Sequence, residues 1–220
     1  MILGIDTISD WSSVAVGDKS SSWSGNRNQS MDLLPQIEKI LNENKVAYNN
    51  LKGVAVVNGP GSYTGIRIGV SVANTIGMIE KIPVRGIDAL YAQLVAWLDD
   101  ERWEKIKKSN GKLMSLLSAG RDRVYVKNYL VGQTIKAEGE FVIDQIEMVL
   151  KGENKDLMLI GEVNEEVENF IKSSGFEHLE MLNGRDQKGR AWGAVKCWDE
   201  LPAVANDNVI PLYLREAVRK

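Results

Sequence analysis

The residues with the clearest chemical potential lie between Asn58 and Gly77, in NGPGSYTGIRIGVSVANTIG. A glycine-rich loop entering a helix can cradle phosphate with its amides, and a serine inside such a loop can be a nucleophile. Each chemistry demands a spacing. A Walker loop beginning at Gly59 would need Gly-Lys where Thr64-Gly65 stands, and no lysine occurs between Lys52 and Lys81. A dinucleotide fingerprint using Gly59 and Gly61 would need its third glycine where Thr64 stands. A nucleophile elbow around Ser62 would need glycine in place of Pro60, and the only histidine available as a base is His178.

What survives is a turn stiffened by Pro60. In it Gly59 and Gly61 admit unusual backbone angles or close approaches, and Ser62 or Thr64 caps the following helix. Amides at that helix start, aided by Arg67, could take an anion such as a phosphate or a partner's carboxylate. Asp6 ends the first apolar run, ILGID, where a carboxylate can hold magnesium or water beside a phosphate. Asp6, Gly59, Gly61 and Ser62 are therefore the candidate ligand residues, set against plain turn, hairpin and capping roles. No catalytic residue, bound cofactor or metal site is expected. A single cysteine and a single histidine leave no zinc set, and Cys197 reads as a small buried hydrophobe in the helix AWGAVKCWDEL. Trp97, Trp103, Trp192 and Trp198 sit in amphipathic surroundings that suit anchoring helices better than stacking ligands.

The helix after the loop carries a second signal. Gly65, Gly69, Ala73 and Gly77 recur at every fourth residue, with Ile68, Val72 and Ile76 in a parallel row. A lane of small residues lets another backbone come close, at a helix-propensity cost of roughly 1 kcal/mol per glycine. Packing on the chain's own sheet and packing on a partner both explain such a lane. Gly65, Ile68, Gly69, Val72, Ala73 and Ile76 are the expected partner-contact residues.

The elements that must position these groups have a legible order. ILGID, SSVAVG and residues 20–25 read as three strands, and MDLLPQIEKILNE as a helix with Leu33, Leu34, Ile37, Ile40 and Leu41 in one stripe. Pro35 is tolerable near the start of that helix. GVAVV reads as a strand covered on both faces, IPVRGI as another strand, and DALYAQLVAWL as a helix capped by Asp88. The polar run ERWEKIKKSNG marks a boundary, giving an expected first domain over 1–104 and a smaller second over 105–220. The second half repeats the order: KLMSLLSA, RVYVKNYLV and 135–143 as strands, QIEMVLKG as a short helix, DLMLIG as a strand, NEEVENFIKSSG as a helix. Two mixed sheets flanked by helices, an α/β class, follow.

Composition narrows the partners. The chain has 220 residues, 44% hydrophobic and 26% charged, with a formal charge of -3, normal for a globular protein. That balance gives no general attraction to nucleic acid, although Lys105, Lys107, Lys108 and the tail from Arg215 to Lys220 are locally basic. The absence of a basic leader, of a long apolar window and of cysteine pairs points to the cytoplasm, away from a membrane.

NGPGSYTGIRIGVSVANTIG closely resembles the family called TsaB or YeaZ. So do ILGIDT with SSVAV, SMDLLPQIEKIL, RVYVKNY and PLYLR, so that the likeness spans most of the chain. The resemblance implies an actin-like (ASKHA) fold of two ribonuclease-H-like lobes. It implies a non-catalytic subunit required to place a threonylcarbamoyl group on the adenosine next to the anticodon of tRNA. Its partners would be a TsaD-like catalytic subunit, bound through the lane helix, and a TsaE-like ATPase; a homodimer through much the same surface is also implied. Contact with tRNA would come mainly through the complex. Gln29-Ser30 stands where the family commonly has His-Ser, and Ser118-Ala119-Gly120 where it commonly has Asp-Ala-Arg. The rival reading is a nucleotide-dependent small-molecule kinase or ATPase built on Asp6 and the Gly59–Gly61 turn.

Overall fold

Two apolar runs, Ile2–Asp6 (β1) and Gly53–Gly59 (β4), lie parallel at the centre of a five-stranded sheet. Val54, Ala55, Val56 and Val57 are buried, because helices cover both faces of a central strand. The computed structural model describes residues 1–24, 28–98, 101–102, 106, 112–132, 135–155, 157–176, 178–182, 188–202 and 208–213. Trp11–Val16 (β2) and Lys19–Ser24 (β3) extend β1 as antiparallel neighbours, and Val84–Asp88 (β5) pairs parallel with β4. The order is β3-β2-β1-β4-β5.

Gln29–Glu43 (α1), Tyr63–Glu80 (α2), Ala89–Trp97 (α3) and the short Arg190–Lys196 (here α6) accompany this sheet. In α1, Leu33, Ile37, Ile40 and Leu41 are buried as the stripe requires, while Leu34 is 48% exposed. The correction has a simple cause: residues 33, 37, 40 and 41 share one face, and Leu34 lies off it. The helix begins at Gln29 and continues past Pro35, whose ring lies on the solvent side. Along β1 the side chains alternate. Ile5 points toward α2, while Gly4 has no side chain because the Ala191 carbonyl of α6 sits against it.

The second sheet is built from Lys112–Ser118 (β6), Arg123–Val131 (β7), Ile135–Gln145 (β8), Met158–Glu162 (β9) and Leu179–Met181 (β10). Its order is β8-β7-β6-β9-β10, with antiparallel pairs on one side of β6 and parallel pairs on the other. That is the order and sense of the first sheet repeated. Ile146–Leu150 (α4) and Glu165–Ser173 (α5) pack Ile146, Leu150, Val167 and Ile171 onto Leu116, Val124 and Leu159.

The chain divides into two compact units, Met1–Ala96 with Asn183–Tyr213, and Trp97–Leu182 with Leu214–Lys220. A single cut after residue 104 therefore differs from this grouping, because the segment carrying α6 returns to the first sheet. Lys105, Lys107, Lys108, Trp103 and the tail from Arg215 lie outside the described residues. No helix among the described residues is long and apolar enough to cross a membrane.

Asn164 ties α5 to the β6–β7 hairpin. Its Oδ1 accepts from the Val167 amide at 2.9 Å, and its Nδ2 donates to Arg121 O at 2.7 Å and Ser118 Oγ at 3.1 Å. Asn164→Ala is expected to cost about 2 kcal/mol, combining a lost cap with lost hairpin bonds. The check is a lower urea midpoint together with faster amide exchange at Val167.

Candidate functional site

The glycine loop is held between two other stretches of backbone. Ser62 caps α2, accepting from the Gly65 amide at 3.3 Å, while its own amide donates to Ile8 O at 2.7 Å. A Cβ on Gly61 would stand 2.6 Å from Ile8 O. Gly59 has φ +127°, and a side chain there would run into the Leu212 carbonyl. Gly59 and Gly61 thus serve contacts within the chain, and the Ser62 and Gly65 amides are already satisfied. Of the amides that an anion cradle at this turn would use, those of Ser62 and Gly65 are turned to Ile8 O and Ser62 Oγ.

Asp6 is likewise engaged within the chain. Its side chain is 1% exposed and receives the Arg190 Nε at 2.8 Å. It also accepts from the Ile8 amide at 3.1 Å and the Ser13 hydroxyl at 3.5 Å. The rest of the guanidinium is engaged as well: Nη2 donates to Ser9 Oγ and, at 3.3 Å, to Trp11 O, and Nη1 reaches Gln93 Oε1 at 3.5 Å. The arginine supplies the positive charge that a cation beside Asp6 would otherwise bring. Ser13 Oγ accepts from the Ala191 amide at 3.1 Å, so the start of α6 is fastened to β2 as well as β1. Sequence reasoning missed Arg190, which lies 184 residues from its partner. A faint signal existed: Arg190 shares a helix face with Ala191 and Ala194, both buried. Among the described residues no group of three or more His, Cys, Asp or Glu gathers to hold a metal ion.

The lane on α2 faces inward. Gly65, Gly69, Ala73 and Gly77 are all buried. A Cβ on Gly65 would run into the Thr7 carbonyl, and one on Gly69 would stand 2.6 Å from Thr7 Oγ1. Thr7 Oγ1 donates to Gly65 O at 2.6 Å, joining helix and strand end directly. Ile76 is buried too, at 7% exposure. Of the expected contact residues, Gly65, Gly69, Ala73 and Ile76 therefore pack within their own unit, while Ile68 and Val72 remain half-buried. The exposed side of α2 carries Tyr63, Thr64, Arg67, Ser71, Thr75, Met78 and Ile79, with Met78 74% and Ile79 65% exposed. At its start, Arg67 lies over the Tyr63 ring, 4.0 Å from the centroid, and its Nε donates to Tyr213 OH at 3.0 Å.

Gln29, at the position where the resemblance leads one to expect histidine, donates from Nε2 to Ser9 O at 2.9 Å. Cys197 is buried beside Tyr91, Glu200 and Asp88. Burial, reinforced by the Glu200 charge, pushes its thiol from the usual 9.0 up to about 12. Burial also raises Tyr91, whose hydroxyl donates to Glu200 Oε2 at 3.0 Å.

Known proteins supply a frame for this geometry. Residues 24–178 match the family described as TsaD: tRNA N6-adenosine threonylcarbamoyltransferase. The tRNA threonylcarbamoyladenosine biosynthesis protein TsaB of Buchnera aphidicola subsp. Schizaphis graminum is 33% identical over 199 residues, covering 84% of this chain and 90% of that one. TsaB of Bacillus subtilis is 26% identical over 159 residues, 68% of this chain and 65% of that protein. Among solved structures, an uncharacterized Pseudomonas aeruginosa protein with similarity to peptidase YeaZ superposes with a TM-score of 0.75 at 21% identity, covering 97% of this chain and 99% of its own. YeaZ from Pseudomonas aeruginosa gives 0.71 at 20% identity, with the same coverage.

Arg190→Met leaves the Asp6 carboxylate buried without its main countercharge and should lose about 3–5 kcal/mol of stability. The double variant Asp6→Asn/Arg190→Met should recover part of that loss in a denaturant double-mutant cycle. Native Cys197 should resist iodoacetamide at pH 8, where the urea-unfolded chain reacts readily. Because its folded pKa is raised, its contribution to stability is complete below 9.0 and fades as pH climbs toward about 12.

Proposed function

The chain belongs to the TsaB/YeaZ family, and from that premise we propose that it is a non-catalytic subunit supporting threonylcarbamoyl transfer to tRNA. The acceptor is the adenosine next to the anticodon. The chain binds and stabilises a TsaD-like catalytic subunit, and a TsaE-like ATPase joins the assembly. Its two sheets, each ordered with antiparallel strands on one side of the first strand and parallel strands on the other, support a reading as two ribonuclease-H-like lobes of an actin-like fold. In this reading the first lobe comprises residues 1–96 with 183–213.

The single observation that carries the proposal is the outward side of α2. Ile68 and Val72 stay half-buried there, and Met78 and Ile79 are exposed, after the lane has been used up within the chain's own unit. The partner surface is thus the row beside the lane rather than the lane itself. A second copy of the chain competes for the same row. Contact with tRNA comes through the catalytic subunit, in keeping with the chain's formal charge of -3. The cytoplasm is the compartment in which these partners meet. A kinase or ATPase reading has less support, since Asp6 is paired with Arg190 and the loop glycines abut backbone.

Val72→Arg places a charge in the proposed interface at a half-buried position. With a TsaD-like protein co-expressed and the mixture followed by light scattering, association is expected to weaken at least about tenfold. Unchanged association of the folded variant would refute the interface. Calorimetry of the isolated chain with ATP and magnesium should show no tight binding; binding with turnover would favour the rival reading.

A further inference from the structure

The end of the described chain is gripped by α2 and β4 at several independent points. Asn74, on α2, takes both backbone groups of Val209: its Nδ2 donates to Val209 O at 3.0 Å, and the Val209 amide donates to its Oδ1 at 3.0 Å. Asn58, at the irregularity where β4 shifts register against β5, holds the next residues with main chain and side chain together. Its main-chain carbonyl accepts from the Leu212 amide at 2.7 Å, and its Nδ2 donates to Ile210 O at 3.0 Å. Val209 is 3% exposed, and a Cβ on Gly86 would stand 2.9 Å from its Cγ1. The loop glycine, Gly59, leaves room for Leu212 in the same manner. Beyond these points Tyr213 lies against Tyr63, with ring centroids 4.7 Å apart, and accepts from Arg67.

The Asn74 carboxamide binds backbone in both directions, reproducing the donor and acceptor of a neighbouring strand, and Asn58 adds one bond from its carboxamide and one to its main-chain carbonyl, so the grip is sequence-tolerant. We infer that Asn208–Tyr213 is a strap whose docking assembles the Tyr63–Arg67–Tyr213 cluster on the exposed side of α2, so that the condition of the chain's end sets the condition of that helix face. Nothing in the partner reading is needed for this. Residues 67 and 74 lie two helical turns apart on one side of α2, so release at Asn74 is transmitted along the strap to Arg67.

The test uses the full chain. Asn74→Ala removes both bonds to Val209 while raising helix propensity, and its fold is checked by circular dichroism. Amide exchange at Val209 and Leu212 is expected to accelerate at least about tenfold, although Leu212 keeps its own acceptor. The Arg67 Nε–H resonance should shift toward that of Tyr213→Ala. Thr75→Ala, on the same helix but without strap contacts, should change none of these signals. Native exchange at Leu212 and an unmoved Arg67 resonance in Asn74→Ala would overturn the strap. So would equal acceleration in Thr75→Ala, which would mean a general loosening of α2.

Discussion

The first unit is organised around one close approach, that of α2 to the end of β1 at Thr7. Helix backbone can reach strand backbone there because Gly65 has no side chain, and Thr7 Oγ1 closes the gap by donating to Gly65 O. Gly69 meets Thr7 Oγ1 one turn on, and at the far end Gly77 leaves room for Val84 of β5, so the lane stays buried along the helix. The Ser62 cap and the bond from its amide to Ile8 O fix the helix start at the same strand end. The small residues are therefore a condition of the fold, and the outward row on α2 is what remains for other uses.

Much of this organisation could be read from residue patterns, for physical reasons that differ by element. GVAVV is apolar at every position because a central strand is covered twice, and it forms β4. The stripe in α1 follows from helical spacing, with Leu34 misplaced because a run of two leucines hides which one faces inward. The doubled element order along the chain was legible from element types alone. Direction was not. A lane of glycine and alanine records only that some backbone comes near, and the register that brings Thr7 rather than a partner depends on contacts remote in sequence.

The pairing of Asp6 with Arg190 was invisible for a related reason. A carboxylate at a strand end has the same local sequence whether it meets a cation from solvent or a guanidinium from the other end of the chain. Only the return of residues 183–213 to the first unit decides between them. The buried guanidinium is tolerable because Ser9, Trp11 and Gln93 occupy its remaining donors. It also makes α6 a part of the first sheet's covering rather than an appendage of the second half.

The border strand β3, KSSSWS, has a further consequence for how copies of this molecule can meet. A sheet margin with open amides and carbonyls invites a foreign strand to zip alongside, and apolar, flat margins do so most readily. Here the margin is a lysine followed by a serine tract, pinned to β2 from Trp11 to Val16. Such a border is poor adhesive. Strand-to-strand growth along this edge, which has no natural stopping point, is thereby disfavoured.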